Sequence, residues 1–192
     1  MVGPLRRSSG GMTHLLVAID KFTKWIEAKP IKKLDGPIAV KFFKSIICRF
    51  GYPNSIITDN GSNFVKGEFA RFCGRTGIRL DVASVVHPQS NGQVERPNGL
   101  ILSGIKPRLV EPLERAAGAW EEEIPSVLWS LMTTPNRSTG FTPFFLVHGA
   151  EAVMPTYIEH DAPRIVLYTK AEAKQAYEDG MDLLEEARQL AE

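Results

Sequence analysis

Apolar residues along the chain fall into short runs whose period shifts between two and nearly four. Residues 14–20, HLLVAID, are an aliphatic, β-branched run ending in an acid, and residues 25–31, WIEAKPI, alternate apolar with polar. Joined by KFTK, they predict an antiparallel pair of strands. In residues 37–51, PIAVKFFKSIICRFG, the residues Ile38, Phe42, Ile46 and Phe50 recur at four-residue spacing. This predicts a helix preceded by Asp35 and Gly36, with Pro37 in its first turn and Gly51 as its stop. Residues 55–58, SIIT, read as a buried strand running into the turn signal Asp59-Asn60-Gly61. In residues 63–77, NFVKGEFARFCGRTG, Phe64, Phe69, Phe72 and Cys73 lie on roughly one helical face, and the helix stops at Gly74 or Gly77. Residues 78–86, IRLDVASVV, read as a strand and residues 87–93, HPQSNGQ, as a loop.

Residues 113–134 carry the apolar stripe Leu113, Trp120, Ile124, Leu128 and Leu131, in a helix that Pro125 must kink or split. Residues 136–168, with Pro143, Pro155 and Pro163, are loop-rich, and residues 170–191 predict an amphipathic helix. No internal repeat is visible. The order strand, strand, helix, strand, helix, strand, helix is an α/β layer architecture. The sheet is mixed, antiparallel in its opening pair and parallel where strands alternate with helices.

Composition narrows the class. A chain of 192 residues, 43% hydrophobic and 23% charged, is globular and fits one ordinary domain with an appendage. No apolar run approaches the ~18–20 residues that span a bilayer, and the opening MVGPLRRSSGG is no signal peptide. Cys48 and Cys73 are too few for a disulfide scaffold or a CxxC zinc site, and read as buried thiols in a reducing compartment. The net charge of +1 conceals a split. Residues 1–110 hold 17 Lys and Arg against 7 Asp and Glu, and residues 111–192 hold 6 against 15. A +10 front beside a −9 back suits a polyanionic partner at the front, or simply two solvated faces of opposite sign.

The candidate chemistry lies in two acids. Asp59 closes a strand and is followed by Asn-Gly, and Glu95 stands beyond a polar loop. Carboxylates brought together by an α/β fold can hold Mg²⁺, a hard cation that prefers oxygen ligands. Two such ions can clamp the attacking and leaving oxygens of a phosphoryl transfer. By spacing alone Asp59 could equally be a turn residue and Glu95 a solvated helix residue.

The local words are more specific. LLVAIDKFTKWIEAKPI at 15–31, TDNGSNF at 58–64, HPQSNGQVER at 87–96 and TTPNRSTGFTPFFLVHGAE at 133–151 occur in this order. Together they resemble the integrase catalytic core of a long-terminal-repeat retrotransposon, of the plant Ty3/gypsy type, over residues 1–160. The resemblance implies an RNase H-like fold. It implies 3′-processing and strand transfer of DNA by two divalent metals, Mg²⁺ or Mn²⁺, on an Asp, Asp, Glu triad. The family's last two acids are typically separated by 35 residues, and residues 60–94 number 35, so Asp59 and Glu95 match the second and third acids. The first acid of the family would stand just before the segment matching MVGPL, that is, before Met1. Asp20 matches a different position, which is not a ligand in the family. The expectation is therefore an incomplete triad, weakened metal binding and little catalysis, with a non-catalytic DNA-binding or oligomerising remnant as the alternative.

Around these acids, Asn60, Asn63, His87, Gln89, Asn91 and Gln93 match polar family positions facing DNA, although His87-Pro88 also fits a plain turn. Lys21, Lys24, Lys29, Lys32 and Lys33 suit phosphate contacts. Pro97 leaves two readings of the segment holding Glu95: a helix from Gly92 interrupted at Pro97, or a helix beginning at Pro97. Trp25, Trp120 and Trp129 read as core, and His14, His148 and His160 as structural. Residues 161–192 read as an acidic helical extension leading toward a further domain. The resemblance implies DNA as partner, a homo-oligomer, no membrane and the nucleus as the place of work.

Overall fold

The computed structural model describes residues 1–58, 61–82, 108–153 and 170–191. By internal contacts the chain divides into two compact units, Met1–Ala18 with Glu27–Ile124, and Ile19–Ile26 with Pro125–Glu192.

The expected hairpin is present as β1 (His14–Ile19) and β2 (Ile26–Ile31). Thr13 N donates to Ile31 O at 3.2 Å and Asp20 N to Trp25 O at 2.9 Å, which sets the antiparallel register. Residues 2–8 run back along the other edge of β1. Val2 and Leu15 exchange both backbone hydrogen bonds at 2.9 Å, and Leu5 N donates to Thr13 O at 2.7 Å.

Helix α1 (Gly36–Phe50) forms where its end signals stand. Asp35 caps it, Oδ1 accepting from Ile38 N at 2.8 Å, Pro37 occupies the first turn, and the Gly51 N–H closes it on Ile47 O. Ala39, Val40 and Phe42 are buried, with Ile38, Phe43, Ile46 and Ile47 packed partly against the core. The four-residue stripe does not hold to its end, because Phe50 is 46% exposed. Cys48 is exposed as well, whereas Cys73 is buried as expected.

Strand β3 (Ser55–Thr58) pairs in parallel with β4 (Arg79–Val82), from Ser55↔Arg79 to Thr58↔Val82. The expected full burial of β3 is confined to one side: Ile56 packs on the core while Ile57 is 38% exposed. Between these strands the single expected helix is two, α2 (Ser62–Val65) and α3 (Glu68–Thr76). Gly67, at φ 104°, makes the break, and Gly77, at φ 72°, ends α3 while Gly74 is carried inside it. Phe64, Phe69, Phe72 and Cys73 are nevertheless all buried. They join Leu16, Ile31, Val40 and Phe42 in one core cluster, with Phe69 edge-on to Phe43 and Phe64.

The third helical region is α4 (108–115), a 3₁₀ turn over Ala117–Ala119, and α5 (Trp120–Met132). Leu113, Trp120, Ile124 and Leu131 are buried as the stripe predicts, joined by Val127. Pro125 does not split the helix. The break lies upstream, where Ala117 has φ 52°, and α5 runs through Pro125. That break lets the Trp120 indole N–H donate to Arg6 O at 2.7 Å.

Within 136–168, α6 (Pro143–His148) is a helical turn capped by the Thr142 hydroxyl, which accepts from Phe145 N at 2.9 Å. The expected terminal helix is α7 (Lys170–Ala191). Leu184 and Ala187 bury against Phe145 and Leu146, and the Arg188 guanidinium donates to Leu146 O at 3.0 and 3.2 Å.

Candidate active site

The last register pair of the parallel strands is Thr58↔Val82, and Asp59 is the next residue after β3. Carboxyl ends of parallel strands are where α/β sheets gather their chemistry. Asp59, Asn60, His87, Gln89, Asn91, Gln93 and Glu95, and with them the two readings around Pro97, lie outside the described residues. Among the described residues no group of three or more His, Cys, Asp and Glu side chains is placed to hold a metal ion.

One described atom next to Asp59 stands out. Among the described residues the buried Thr58 hydroxyl oxygen has no hydrogen-bond partner. Leaving such a group unsatisfied costs about 1–3 kcal/mol. A water or a hydrated ion is the usual explanation for it. The carboxylates expected at Asp59 and Glu95 would add to this hydroxyl oxygen donors of the kind a hard divalent cation takes. The donor chemistry therefore fits Mg²⁺ or Mn²⁺.

Asn63 is exposed on α2, whose neighbour Phe64 anchors the turn in the core. Lys32 and Lys33 are exposed and Lys29 is half-buried on the hairpin and the segment after it. The KFTK turn separates its two lysines. Lys21 is exposed, its ammonium 5.7 Å from the Phe22 ring centroid. Lys24 is 8% exposed, has φ 62°, and turns its ammonium back onto the Lys21 carbonyl. Burial pushes the Lys24 pKa down. The Asp20 carboxylate is engaged in the same turn, accepting from Thr23 N and Thr23 Oγ1, each at 2.8 Å.

Trp120 is core, as expected. Trp25 and Trp129 are half-buried in a ring cluster: Phe144 lies 6.3 Å from Trp25 and 6.2 Å from Trp129, and His148 meets Trp25 edge-on at 5.4 Å. The His14 ring nitrogen Nδ1 meets Thr13 Oγ1 at 2.9 Å, and His160 lies outside the described residues. The sequence reading passed over Thr58 and Phe22. A threonine in a core-facing strand position and an aromatic between two lysines were the signals for them.

Comparison with known proteins supplies the family context. Residues 2–88 match the family described as Integrase core domain. The Gag-Pol polyprotein of avian reticuloendotheliosis virus is 34% identical over 143 residues, 74% of this chain and 12% of that protein. The Gag-Pol polyprotein of feline leukemia virus is 32% identical over 178 residues, 92% of this chain and 10% of that protein. The chain thus spans about a tenth of the length of these relatives. Among solved structures, a chain of the simian T-cell lymphotropic virus intasome in complex with PP2A regulatory subunit B56 gamma matches with a TM-score of 0.54 and 25% identity. The match covers 73% of this chain and 50% of that one. The fold is accordingly the RNase H-like α/β fold. These relatives are retroviral rather than plant elements. Residues 2–88 carry an integrase core domain match, and the chain is retroviral-integrase-like in sequence and in fold.

Proposed function

We propose that this chain is the DNA-handling core of a long-terminal-repeat retroelement integrase, of the plant Ty3/gypsy type, serving 3′-processing and strand transfer. The observation that carries this reading is the integrase core match over residues 2–88, which takes in the β3–β4 pair. Residues 1–160 are the core and residues 161–192 a helical extension. Asp59 and Glu95 hold Mg²⁺ or Mn²⁺. When bound, these ions polarise the phosphoryl oxygens and activate the attacking hydroxyl. Asn60, Asn63, His87, Gln89, Asn91 and Gln93 line the DNA near these acids, and Lys21 meets a phosphate. Lys24 acts on DNA only by holding the turn that presents Lys21.

The core binds DNA and joins it in a metal-dependent reaction. The core works as a homo-oligomer on DNA, in the nucleus. Among the described residues no helix is long and apolar enough to cross a membrane.

The test combines DNA binding across a salt series with a strand-transfer assay in Mg²⁺ and in Mn²⁺. Binding is expected to fall steeply with salt. Joining is expected to require the metal and to vanish in Asp59→Asn and Glu95→Gln. Absence of DNA binding at low salt, or joining untouched by either substitution, overturns the reading.

A further inference from the structure

The tip of the β1–β2 hairpin is more tightly held than a six-residue connection needs to be. Asp20 caps it through both Thr23 N and Thr23 Oγ1, Lys24 N donates to Asp20 O at 3.1 Å, and Trp25 N donates to Thr23 Oγ1 at 3.2 Å. Lys24 adopts φ 62°, the left-handed region that a non-glycine residue enters at a cost, and its ammonium is buried on the Lys21 carbonyl. Such strain persists where the surroundings over-determine it, and it clusters at ligand clamps.

The arrangement leaves two adjacent side chains outside. Phe22 is 48% exposed, and the Lys21 ammonium lies 5.7 Å from its ring centroid, within cation–π range. A lone exposed aromatic is unremarkable on a protein surface. Here, however, a fixed turn holds the ring beside an exposed cation. A π-face next to a positive charge matches the two parts of an unpaired nucleotide, the base and its phosphate. A single-stranded overhang offers unpaired bases, whereas blunt duplex keeps its bases paired and stacked.

We propose that the hairpin tip is a single-strand clamp, in which Phe22 stacks on an unpaired base of DNA and Lys21 meets the adjoining phosphate. The proposal rests on the reading that the chain binds DNA and adds the strand state that this surface selects.

The experiment measures fluorescence anisotropy with two labelled DNAs, a blunt duplex and the same duplex bearing a short single-stranded overhang. The overhang carries 2-aminopurine to report stacking. Parent, Phe22→Ala, Phe22→Leu and Phe22→Trp are compared, with thermal denaturation to verify folding. Loss of one base–aromatic stack weakens binding by roughly 5- to 100-fold. That loss is expected for Phe22→Ala and Phe22→Leu on the overhang DNA, together with loss of 2-aminopurine quenching. Blunt-duplex binding should stay within about twofold, and Phe22→Trp should retain parental behaviour. Equal affinity of parent and Phe22→Ala for the overhang DNA overturns the proposal, as does a parental Phe22→Leu, which would mean plain apolar contact. If blunt-duplex binding is intact while Phe22 is silent, only the clamp fails. If the parent binds neither DNA, the DNA-binding reading fails with it.

Discussion

The Arg49 guanidinium holds the Glu27 carboxylate with two parallel hydrogen bonds, Nη1 to Oε1 at 2.6 Å and Nη2 to Oε2 at 3.0 Å. The pair ties the last turn of α1 to β2. Arg49 also sits at the negative end of the helix dipole, where a cation is favoured. Half of the Arg49 side chain remains in solvent, at 49% exposure against 19% for Glu27, so the pair is screened. A double-mutant cycle with Arg49→Ala and Glu27→Ala should give a coupling of about 0.5–1 kcal/mol by urea denaturation. The coupling should shrink in about 1 M salt, where charges are screened within a few ångströms. Arg49→Lys should lose part of it, since an ammonium cannot reproduce the fork.

Lys24 reverses the usual ranking of alanine and glycine. At φ 62° an L side chain is strained, so Lys24→Gly should be more stable than Lys24→Ala by about 1 kcal/mol. Its ammonium is desolvated, and burial holds its pKa below the usual lysine value. Below the lowered folded value both folded and unfolded chains carry the proton, so the burial penalty is present in full. Between the lowered folded value and the unfolded value near 10.4, only the unfolded chain holds it. The Lys24 contribution therefore rises with pH across that window. The stability difference between parent and Lys24→Met, followed from pH 7 to about 10.5 by urea denaturation, should move in the parent's favour.

The two cysteines should behave oppositely. Cys48 is exposed and should alkylate in the native protein, whereas Cys73 is 1% exposed and should alkylate only on unfolding. Burial pushes the Cys73 thiol up. As pH rises past the ordinary thiol value of about 8.5, the unfolded chain releases this proton first, and the Cys73 contribution to stability falls. Mass-resolved labelling along a denaturant series reads the first effect. The pH dependence of a Cys73→Ala comparison reads the second.

Gly180 lies inside α7, where alanine ordinarily stabilises a helix by about 1 kcal/mol. Here an added Cβ would come 2.5 Å from the Gly149 carbonyl oxygen. Because the neighbour is backbone, Gly180→Ala should destabilise, by about 1–3 kcal/mol. The cost should show as early fraying of α7 in hydrogen exchange, since Leu184 and Ala187 depend on the same contact with α6.

The hairpin, α1, β3, β4 and α7 were readable because each is announced locally, by alternation, by a cap such as Asp35, or by a glycine stop such as Gly51. Errors came where a pattern was extended too far. A four-residue step overshoots a helical turn by about 40°, so three steps from Ile38 rotate Phe50 about 120° off the core face. The five-residue gap between Phe64 and Phe69 does not fit one helix, and Gly67 supplies the break that the gap requires. Pro125 does not split α5. The proline lies inside α5, and the break lies upstream at Ala117, whose positive φ no local residue preference announces. Of the candidate site, Asp59, Glu95 and most of the polar positions between them lie outside the described residues. Which lysine of KFTK is buried was not legible, because that depends on how the turn folds back on its own carbonyl.

Residues 2–5 do more than lengthen a sheet. By pairing with β1 they replace an open row of amide and carbonyl groups with a segment containing Gly3 and Pro4, and Pro4 has no N–H to offer. An exposed regular edge is a template for pairing with other chains, and proline at an edge blunts it. Material lacking these residues should be the less soluble form of the protein, because β1, with Leu15 wholly buried and Leu16 nearly so, would present a bare apolar strand to its neighbours.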